Sequence, residues 1–274
     1  MPVPMHRDFG TLLSMAATCP ICEGTGWKPQ ESGGVRRMVL CDCQAEQRAV
    51  RRLASIRIPS RYEHCDFDNF ETDIYEKPEE QSNRSLQQAK LTLQRYAADY
   101  PAHVDYGLLL MGPCGVGKTH LGVAALLALA AKGHDCLFYD FRELLKEIQN
   151  SYNPISQTTE TQVLEPVLLA EVLLLDDLGA IKPSAWVQDI VGHILNTRYN
   201  EKRATLMTTN FLDRPALRDA ETLRFPSGQP TPRTEDSLAD RIGERVRSRL
   251  YEMCRVVEIT APDYRQRVRQ AQYR

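Results

Sequence analysis

The stretch GLLLMGPCGVGKTHLGVAALLALA, residues 107–130, joins a short apolar run, a glycine-rich turn and a long apolar run. Its turn has the pattern G-x-x-x-x-G-K-T, from Gly112 to Thr119, between a predicted buried strand at Leu108–Met111 and a predicted helix. In that setting the backbone N–H groups of the turn bind phosphate oxygens, and fully apolar strands are typical of parallel sheets. The stretch therefore predicts a nucleotide-binding α/β domain with a central parallel sheet.

The same turn supplies the candidate ligands for ATP and its magnesium ion. Lys118 is expected to reach the β- and γ-phosphate oxygens, and the Thr119 hydroxyl to coordinate Mg²⁺. The glycines allow the backbone amides to approach the phosphates closely. The residues expected to contact the nucleotide here are Gly112, Pro113, Cys114, Gly115, Val116, Gly117, Lys118, Thr119 and His120.

Two further apolar runs end in polar residues that would complete such a site. Val172–Leu175 leads into Asp176 and Asp177, and Ala204–Thr208 is followed closely by Asn210. Ligands of open parallel sheets bind at the carboxyl ends of the strands, so these side chains are expected to face the phosphates. We assign Asp176 to Mg²⁺, Asp177 to the water that attacks the phosphate, and Asn210 to sensing the γ-phosphate or that water.

Arginines recur at four-residue spacing in SLADRIGERVRSRLYEMC, which predicts one helix with a basic face formed by Arg241, Arg245 and Arg249. A strand is predicted to follow at Val256–Ile259. Such a row can reach a phosphate, including one bound by a neighbouring subunit. The alternative is that these arginines form ion pairs with Glu244 and Glu252.

Four cysteines near the start of the chain form two close pairs, in CPIC and CDC: Cys19, Cys22, Cys41 and Cys43. Four thiolates suit a tetrahedral zinc ion, and a closed set of four ligands indicates a structural site. Gly24 and Gly26 allow the tight turn that directs amide N–H groups at the sulfurs. The segment is too short to bury a core of its own, so the metal would replace one. The alternative is a set of buried or redox-active cysteines.

The remaining cysteines are isolated in the sequence and are interpreted as packing residues: Cys65, Cys114, Cys136 and Cys254. His64, next to Cys65, is a minor alternative as a zinc ligand.

The rest of the chain divides into a small amino-terminal part and a large α/β part. Residues 44–56 have helical spacing of apolar residues, 59–70 is expected to be an extended connector with docking aromatics, and 76–83 an exposed loop. Residues 84–100 predict an amphipathic helix. We expect a zinc-knuckle and partner-docking domain at 1–58, a linker at 59–83, and a three-layer ATPase domain at 84–274 with little or no separate helical lid.

The charge distribution is uneven although the formal net charge is only −2. Seven arginines lie between Arg36 and Arg61, and nine between Arg241 and Arg274. Both segments are candidates for contact with nucleic acid or nucleotide phosphate, the alternative being solvated helix faces. No run approaches the roughly 20 apolar residues of a membrane span, so we expect a cytoplasmic protein without a membrane partner.

In their order, these motifs resemble the AAA+ ATPases of the DnaC/DnaI/IstB group, which are replicative helicase loaders and transposition helper ATPases. The matching elements are GPCGVGKT, VLLLDD, LMTTN, ERVRSRL and a closing DYR, and IPSRYEHCDFDNF resembles the segment that precedes the ATPase core. The resemblance covers about residues 57–270. The cysteine set differs from the mixed cysteine and histidine set of some loaders, and the polar loop at 223–237 is longer than expected.

The resemblance implies roles that the residues alone do not. It assigns the arginine finger to Arg249, with Arg245 as the second candidate, and a late arginine acting on the same nucleotide to Arg265. It places a DNA-contacting insertion at FRELLKEIQNSY, after a strand at Cys136–Asp140. It also implies assembly into a homo-oligomer on ATP binding, single-stranded DNA binding, and contact with a partner through the amino-terminal domain.

The expected function is an ATP-controlled helicase loader with ATP, Mg²⁺ and Zn²⁺ as cofactors. Two alternatives remain open: a transposition helper that remodels target DNA for a transposase or recombinase, and a zinc-dependent nucleic-acid-binding protein with an ATP switch. A small-molecule kinase is disfavoured because it needs neither the arginine box nor Asn210. The zinc knuckle is expected to dock a partner such as a hexameric helicase, with DNA contact by the following arginines as the rival role.

Overall fold

The structure is a computed structural model that describes residues 19–32, 35–44, 53–76, 80–104, 106–213 and 236–267. The chain forms two compact units, residues 1–51 and 52–274. None of the helices in the described ranges combines the length and the apolar character needed to cross a bilayer.

The small unit is a hairpin that brings two cysteine pairs together. Strands β1 (Trp27–Ser32) and β2 (Val35–Leu40) pair antiparallel. One cysteine pair lies in the turn before β1 and the other directly after β2, and the Cys41 amide donates to the Gly26 carbonyl at 2.8 Å. Because the hairpin has one layer, its buried side chains are mainly the cysteines themselves.

The large unit is built on a five-stranded parallel sheet in the order β4-β5-β6-β3-β7. Its strands are β3 (Gly107–Met111), β4 (Cys136–Asp140), β5 (Val172–Asp176), β6 (Ala204–Thr209) and β7 (Cys254–Glu258). The strands that precede the glycine-rich turn, the acidic pair and Asn210 are therefore neighbours, in the order β3, β6, β5.

Helices cover both faces of this sheet. They are α1 (Glu80–Asp99), α2 (Lys118–Ala131), α3 (Phe141–Ser151), α4 (Glu160–Leu169), α5 (Ala185–Asn200), α6 (Leu238–Ile242), α7 (Glu244–Met253) and α8 (Tyr264–Arg267). Alternate side chains of each strand point to opposite faces, so Leu108 and Leu110 enter one core while Leu109 and Met111 enter the other. The first core is closed by α1, α2 and residues 56–75, and the second by α3–α7. The predicted three-layer α/β fold is confirmed.

Helix α1 begins at Glu80, so the predicted loop at 76–83 is wrong in its last four residues. An acidic residue in the first turn favours an earlier start, because it interacts well with the positive end of the helix dipole. Residues 77–79 lie outside the described ranges. So do 45–52 of the predicted helix at 44–56, of which 44 and 53–55 are helical, and 223–235 of the predicted polar loop.

The predicted single helix carrying three arginines is also wrong. Gly243 has φ +85°, which ends α6 and starts α7, so Arg241 lies on a different helix from Arg245 and Arg249. The short α6 has its own capping box, in which Ser237 and Asp240 bond each other's backbone amides. The following strand begins at Cys254, two residues before its predicted start.

Residues 53–75 form a largely irregular segment of the large unit, with a short 3-10 helix at Ser60–Tyr62 instead of the predicted extended conformation, and this segment packs on the rest of that unit. The Phe138 amide donates to the Ile56 carbonyl at 2.7 Å, and Lys90 Nζ donates to the Phe70 carbonyl at 3.0 Å. The Tyr75 hydroxyl donates to the Pro262 carbonyl at 2.9 Å. This segment is thus fixed to β4, to α1 and to the chain after β7.

The isolated cysteines are buried as predicted at three positions, Cys65, Cys136 and Cys254, but Cys114 is exposed. Cys114 is exposed because it lies within the glycine-rich turn, where the backbone amides rather than the side chains are expected to face the phosphates.

A buried arginine joins the amino ends of two strands in the second core. Arg198 has no exposed surface, and its guanidinium donates to Thr205 Oγ1 at 2.9 Å and to the carbonyls of Val167 at 2.9 Å and Ala170 at 2.8 Å. Burial lowers its pKa to about 9, so the group stays charged at neutral pH. These bonds give the buried carbonyls at the end of α4 and the start of β6 a donor in place of water.

Replacing Arg198 with Met should lower the free energy of unfolding of the large unit by about 3 kcal/mol or more. Each buried carbonyl left without a donor costs roughly 1–3 kcal/mol, partly offset because no charge is then buried. The matched control is Arg203→Met, whose guanidinium donates to the Leu169 carbonyl from a half-buried position. Its expected loss is about 1 kcal/mol. Equal losses of unfolding free energy for the two variants in urea titrations would contradict the role of Arg198 as the donor to these buried carbonyls.

Candidate functional site

A cavity of about 830 Å³ opens at the carboxyl ends of the central strands. Its walls are the glycine-rich turn between β3 and α2, the acidic ends of β4 and β5, and Asn210 after β6. Two segments remote in sequence complete it, residues 59–75 and residues 264–265. The glycine-rich turn, the acidic pair and Asn210, which were predicted from separate motifs, therefore border one cavity.

The glycine-rich turn requires glycine at two positions, because each has a positive φ and a Cβ at either would clash with a different neighbour. Gly115 has φ +78°, and a Cβ there would lie 1.8 Å from Asp263 Oδ1. Gly117 has φ +93°, and a Cβ there would lie 2.5 Å from the Phe70 ring. Gly117 is also the N-cap of α2 and no side chain bonds the first amides of that helix. The helix thus offers unpaired N–H groups to an anion.

Lys118 is 5% exposed and holds a fixed position across the turn. Its ammonium donates to the Gly112 carbonyl at 2.9 Å, to the Pro113 carbonyl at 2.8 Å and to Asn210 Oδ1 at 2.7 Å. Burial lowers the pKa of the lysine. The amide of Asn210 in turn donates to Asp177 Oδ1 at 3.1 Å. The loop lysine, the sensor amide and the second acid therefore form one hydrogen-bonded chain.

The acidic group contains three carboxylates. Oxygens of Asp140, Asp176 and Asp177 lie within 4.8 Å of one another, and Thr119 Oγ1 is 3.0 Å from both Asp176 oxygens. Burial, together with the charges of Asp177 and Asp140, raises the pKa of Asp176 to about 6, although the hydrogen bonds from Thr208 and Thr119 act in the opposite direction. Several carboxylate and hydroxyl oxygens in one place suit a divalent cation such as Mg²⁺, which would relieve this repulsion.

Asp140 is a candidate that the motif analysis missed. It ends β4 and pairs in register with Asp176, which ends β5. Its Oδ1 also caps α3 by accepting from the amides of Arg142 and Glu143, at 2.8 and 3.1 Å. A carboxylate directly after the apolar run at residues 136–139 was the available signal, but only the sheet order shows that β4 and β5 are adjacent.

Residues 59–75 form a wall of the cavity rather than only a connector. The Phe70 ring covers Gly117, and its edge meets the His120 ring with centroids 5.2 Å apart. His120 Nε2 lies 3.0 Å from the Asp66 carbonyl oxygen. Arg61 and Tyr62 also border the cavity. Sequence reasoning missed these contacts because nothing local to the segment indicates where it folds back.

Of the predicted arginines, Arg265 borders the cavity of its own chain and Arg245 and Arg249 do not. Arg265 is brought there by the Tyr264 amide, which donates to the Gly115 carbonyl at 3.1 Å. Arg249 donates to Asn196 Oδ1, and Arg245 is exposed on α7.

The ion pairs considered for this helix involve a different arginine. Arg247 forms a two-bond contact with Asp213, at 2.6 and 2.7 Å, and a third bond with Glu244 at 3.2 Å. Glu252 instead accepts from the Tyr199 hydroxyl. Arg241, on the shorter helix α6, pairs with Asp236, which precedes that helix. Since Asp213 follows Asn210 by three residues, Arg247 ties α7 to the chain leaving the sensor strand.

The four predicted zinc ligands lie together in the small unit. Sulfur separations are 3.8 Å for Cys19–Cys41 and 3.4 Å for Cys22–Cys43, and all four sulfurs lie within 4.8 Å. A tetrahedron with Zn–S bonds of about 2.3 Å has edges of about 3.8 Å, so this arrangement fits a zinc ion. Burial raises the pKa of the Cys22 thiol, but the Gly26 amide and the neighbouring thiols lower it overall, to about 7. His64, the minor alternative ligand, borders the nucleotide cavity instead.

The model of the family described as IstB-like ATP binding protein matches residues 44–214. The replicative helicase loader DnaC of Escherichia coli strain K12 is 24% identical over 184 residues, which is 66% of this chain and 69% of the loader. The replicative helicase loader DnaI of Bacillus subtilis is 36% identical over 106 residues, which is 38% of this chain and 33% of that protein. A crystal structure of the DnaC helicase loader matches with 30% identity and a TM-score of 0.56, covering 73% of this chain and 99% of that structure.

Replacing Cys41 with Ser should remove the zinc and unfold the small unit, because three ligands do not close the site and the described residues of that unit form no other core. Elemental analysis of the unaltered chain should give about one zinc per chain. Affinity for a fluorescent ATP analogue should not change, since the large unit has its own core. The control Cys114→Ser, at an exposed cysteine, should keep its zinc. Full zinc content in Cys41→Ser would contradict the assignment.

Proposed function

The chain belongs to the IstB-like ATP-binding protein family and is a helicase-loader-like AAA+ ATPase, and from this we propose that it loads a replicative helicase onto single-stranded DNA. The observation that carries the proposal is that the residues around the cavity and the activity named for the chain's relatives both indicate an ATPase of the helicase-loader type. One cavity is bordered by the glycine-rich turn, the acidic pair, Asn210 and Arg265, and the chain matches nearly the full length of a helicase-loader structure at 30% identity.

In this proposal the chain's own residues divide the work of hydrolysis. Lys118 and the turn amides bind the phosphates, and Thr119 and Asp176 hold the magnesium ion, which would neutralise developing charge. Asp177 orients the attacking water, and Asn210 senses the γ-phosphate. Arg265, which borders the same cavity, acts on the nucleotide of its own chain.

Assembly on ATP binding is the second part of the proposal. Arg249, with Arg245 as the alternative, would complete the site of a neighbouring protomer. Its absence from the cavity of its own chain is compatible with this role, and the bonds of Arg247 to Asp213 provide a link from Asn210 to the helix that carries the finger. Hydrolysis would then change the interface between protomers and release the helicase or the DNA.

Partner docking is assigned to the zinc-bearing hairpin of the small unit. Cross-strand partners share a face of the hairpin, so Trp27, Leu40, Pro29 and Met38 lie on one side. They are exposed, with 50% for Trp27, 46% for Leu40 and 60% for Met38. An exposed apolar face of this kind marks an interaction site.

The charge of this unit favours a protein partner over nucleic acid. Residues 1–51 contain nearly equal numbers of basic and acidic side chains, six basic (Arg7, Lys28, Arg36, Arg37, Arg48 and Arg51) and five acidic (Asp8, Glu23, Glu31, Asp42 and Glu46). Lys28 pairs with Asp42, and Arg36 faces Glu31 across the hairpin. DNA binding is driven by cations free to meet phosphates, which such a balance does not supply.

The size of the face favours a short segment of the helicase over a second copy of the chain. A stable interface buries about 800 Å² per partner. Four side chains, partly buried already, supply less than that. Several copies of the chain on one hexameric helicase would strengthen a weak contact through avidity.

Contact with single-stranded DNA is proposed at the end of α3. Tyr152 is 51% exposed and accepts a hydrogen bond from the Trp186 indole at 3.2 Å, with the ring centroids 6.4 Å apart. Ile155, close by in sequence, is 89% exposed. Exposed aromatic rings suit the stacking of unpaired bases.

A transposition helper ATPase is the second candidate function, because the matching family is described as IstB-like. The same ATP cycle would then remodel target DNA for a transposase. The two candidates differ in the protein that the chain binds, so parallel binding assays with a replicative helicase and with a transposase distinguish them.

Replacing Arg249 with Ala should leave ATP affinity nearly unchanged and lower ATP hydrolysis by roughly 10³-fold, because the missing charge belongs to the neighbour's site. Mixing this variant with Asp177→Asn should restore part of the activity. In the mixture, an intact Arg249 faces a site with an intact Asp177. Arg95→Ala, at an exposed arginine of α1, is the control and should be active. Full activity of Arg249→Ala, or no recovery in mixtures that still assemble, would exclude Arg249 and make Arg245 the candidate.

Replacing Met38 with Asp should weaken binding to the helicase at least ~10-fold, since it places a charge in the centre of the apolar face. Arg37→Asp, on the opposite face of the same hairpin, should change the affinity less than about threefold. Both variants should retain zinc, because neither residue is a ligand. If Arg37→Asp has the larger effect, or if only DNA binding changes, the apolar face is not the docking surface.

A further inference from the structure

Thr208 joins two of the three acidic residues of the site, Asp176 and Asp177, through a single hydroxyl group. It is the fifth residue of β6 and is fully buried. Its Oγ1 donates to Asp176 Oδ1 at 2.6 Å and accepts from the Asp177 backbone amide at 2.9 Å. We propose that Thr208 is a positioning residue for ATP hydrolysis, which fixes the direction of both carboxylates. The proposal rests on the ATPase activity and not on the helicase-loading role.

The backbone of Asp177 requires such a support. Its φ is +57°, a left-handed conformation that side-chain-bearing residues rarely adopt. The Asp177 amide is held by Thr208, and its carboxylate accepts from Asn210 Nδ2 at 3.1 Å. The Leu178 amide then donates to the Thr208 carbonyl at 2.8 Å. The turn after β5 is thus held by hydrogen bonds from Asp177 and Leu178 to β6. These bonds keep the turn in the conformation in which Asp177 faces the cavity.

The direction of each hydrogen bond at Thr208 is unambiguous. An amide N–H can only donate, so the hydroxyl oxygen accepts from Asp177, and the single hydroxyl proton is left for Asp176. The Asp176 oxygen Oδ1 is therefore engaged by Thr208 and also lies 3.0 Å from Thr119 Oγ1, while Oδ2 has Thr119 as its only hydrogen-bond partner among the described residues. Thr208 thereby sets which oxygen of Asp176 is presented to the cation-binding side.

A purely structural role predicts a different experimental result from a positioning role. Loss of a buried hydrogen bond lowers stability wherever it occurs. Loss of positioning lowers the rate of the chemical step while nucleotide affinity, which depends mainly on the glycine-rich turn and Lys118, changes little.

The test compares Thr208→Val, which removes the hydroxyl at nearly constant shape, with Thr208→Ser, which retains it. Side chains that hydrogen-bond to a metal ligand typically contribute ~10–100-fold to activity. Thr208→Val should lower kcat by roughly that factor. Its affinity for a fluorescent ATP analogue should stay within about threefold of the unaltered chain, and Thr208→Ser should restore most of kcat.

Thr205 offers a matched control on the same strand. It is also fully buried, and its hydroxyl accepts from Arg198 Nε at 2.9 Å and donates to the Arg203 carbonyl at 3.2 Å, at the opposite end of β6. Thr205→Val should lower the melting temperature and leave kcat unchanged. If Thr208→Val does not fold, Thr208→Ala removes the same hydroxyl and carries the same expectation.

Two results would overturn the proposal. The first is a kcat of Thr208→Val or Thr208→Ala within threefold of the unaltered chain. The second is an equal loss of kcat in Thr205→Val, which would show a general effect of strand stability. Neither depends on whether the chain binds a helicase, so a failed loader assignment leaves this test intact.

Discussion

The position of β6 between β3 and β5 is the constraint on which the rest of the site depends. Because all strands are parallel, their carboxyl ends meet at one edge, and the residue after β6 can touch both neighbours. Asn210 bonds Lys118 on one side and Asp177 on the other. Thr208, two residues earlier, donates a hydrogen bond to the Asp176 carboxylate and accepts one from the Asp177 amide. A strand at the edge of the sheet could link only one neighbour.

This arrangement explains which parts of the site could be predicted from sequence. Lys118 and Thr119 lie in a recognisable glycine-rich turn motif after an apolar strand, and the acidic pair stands at the end of another, so local pattern and the rule for strand ends were sufficient to predict their shared location. The zinc ligands form two close pairs, and a hairpin is enough to join them. The three-layer fold followed from buried strands alternating with helices.

The parts that sequence reasoning missed depend on contacts distant in the chain. Asp140 joins the acids only because β4 pairs with β5 in register. Phe70 covers Gly117 because residues 53–75 fold back over the turn, and no local pattern specifies that path. The break at Gly243 was missed because the arginine spacing fits a continuous helix, whereas the capped α6 ends there. In each case tertiary contacts decided between locally possible conformations.

The central claim is that ATP binding and hydrolysis by this chain control the placement of a helicase on DNA. The most direct measurement is the amount of hexameric replicative helicase that remains on circular single-stranded DNA after gel filtration. The account predicts that helicase on the circle increases severalfold with the chain and ATP, and does not increase with Lys118→Ala or without ATP. An unchanged amount of bound helicase under all these conditions, together with ATP-dependent recruitment of a transposase to DNA, would contradict the loader role.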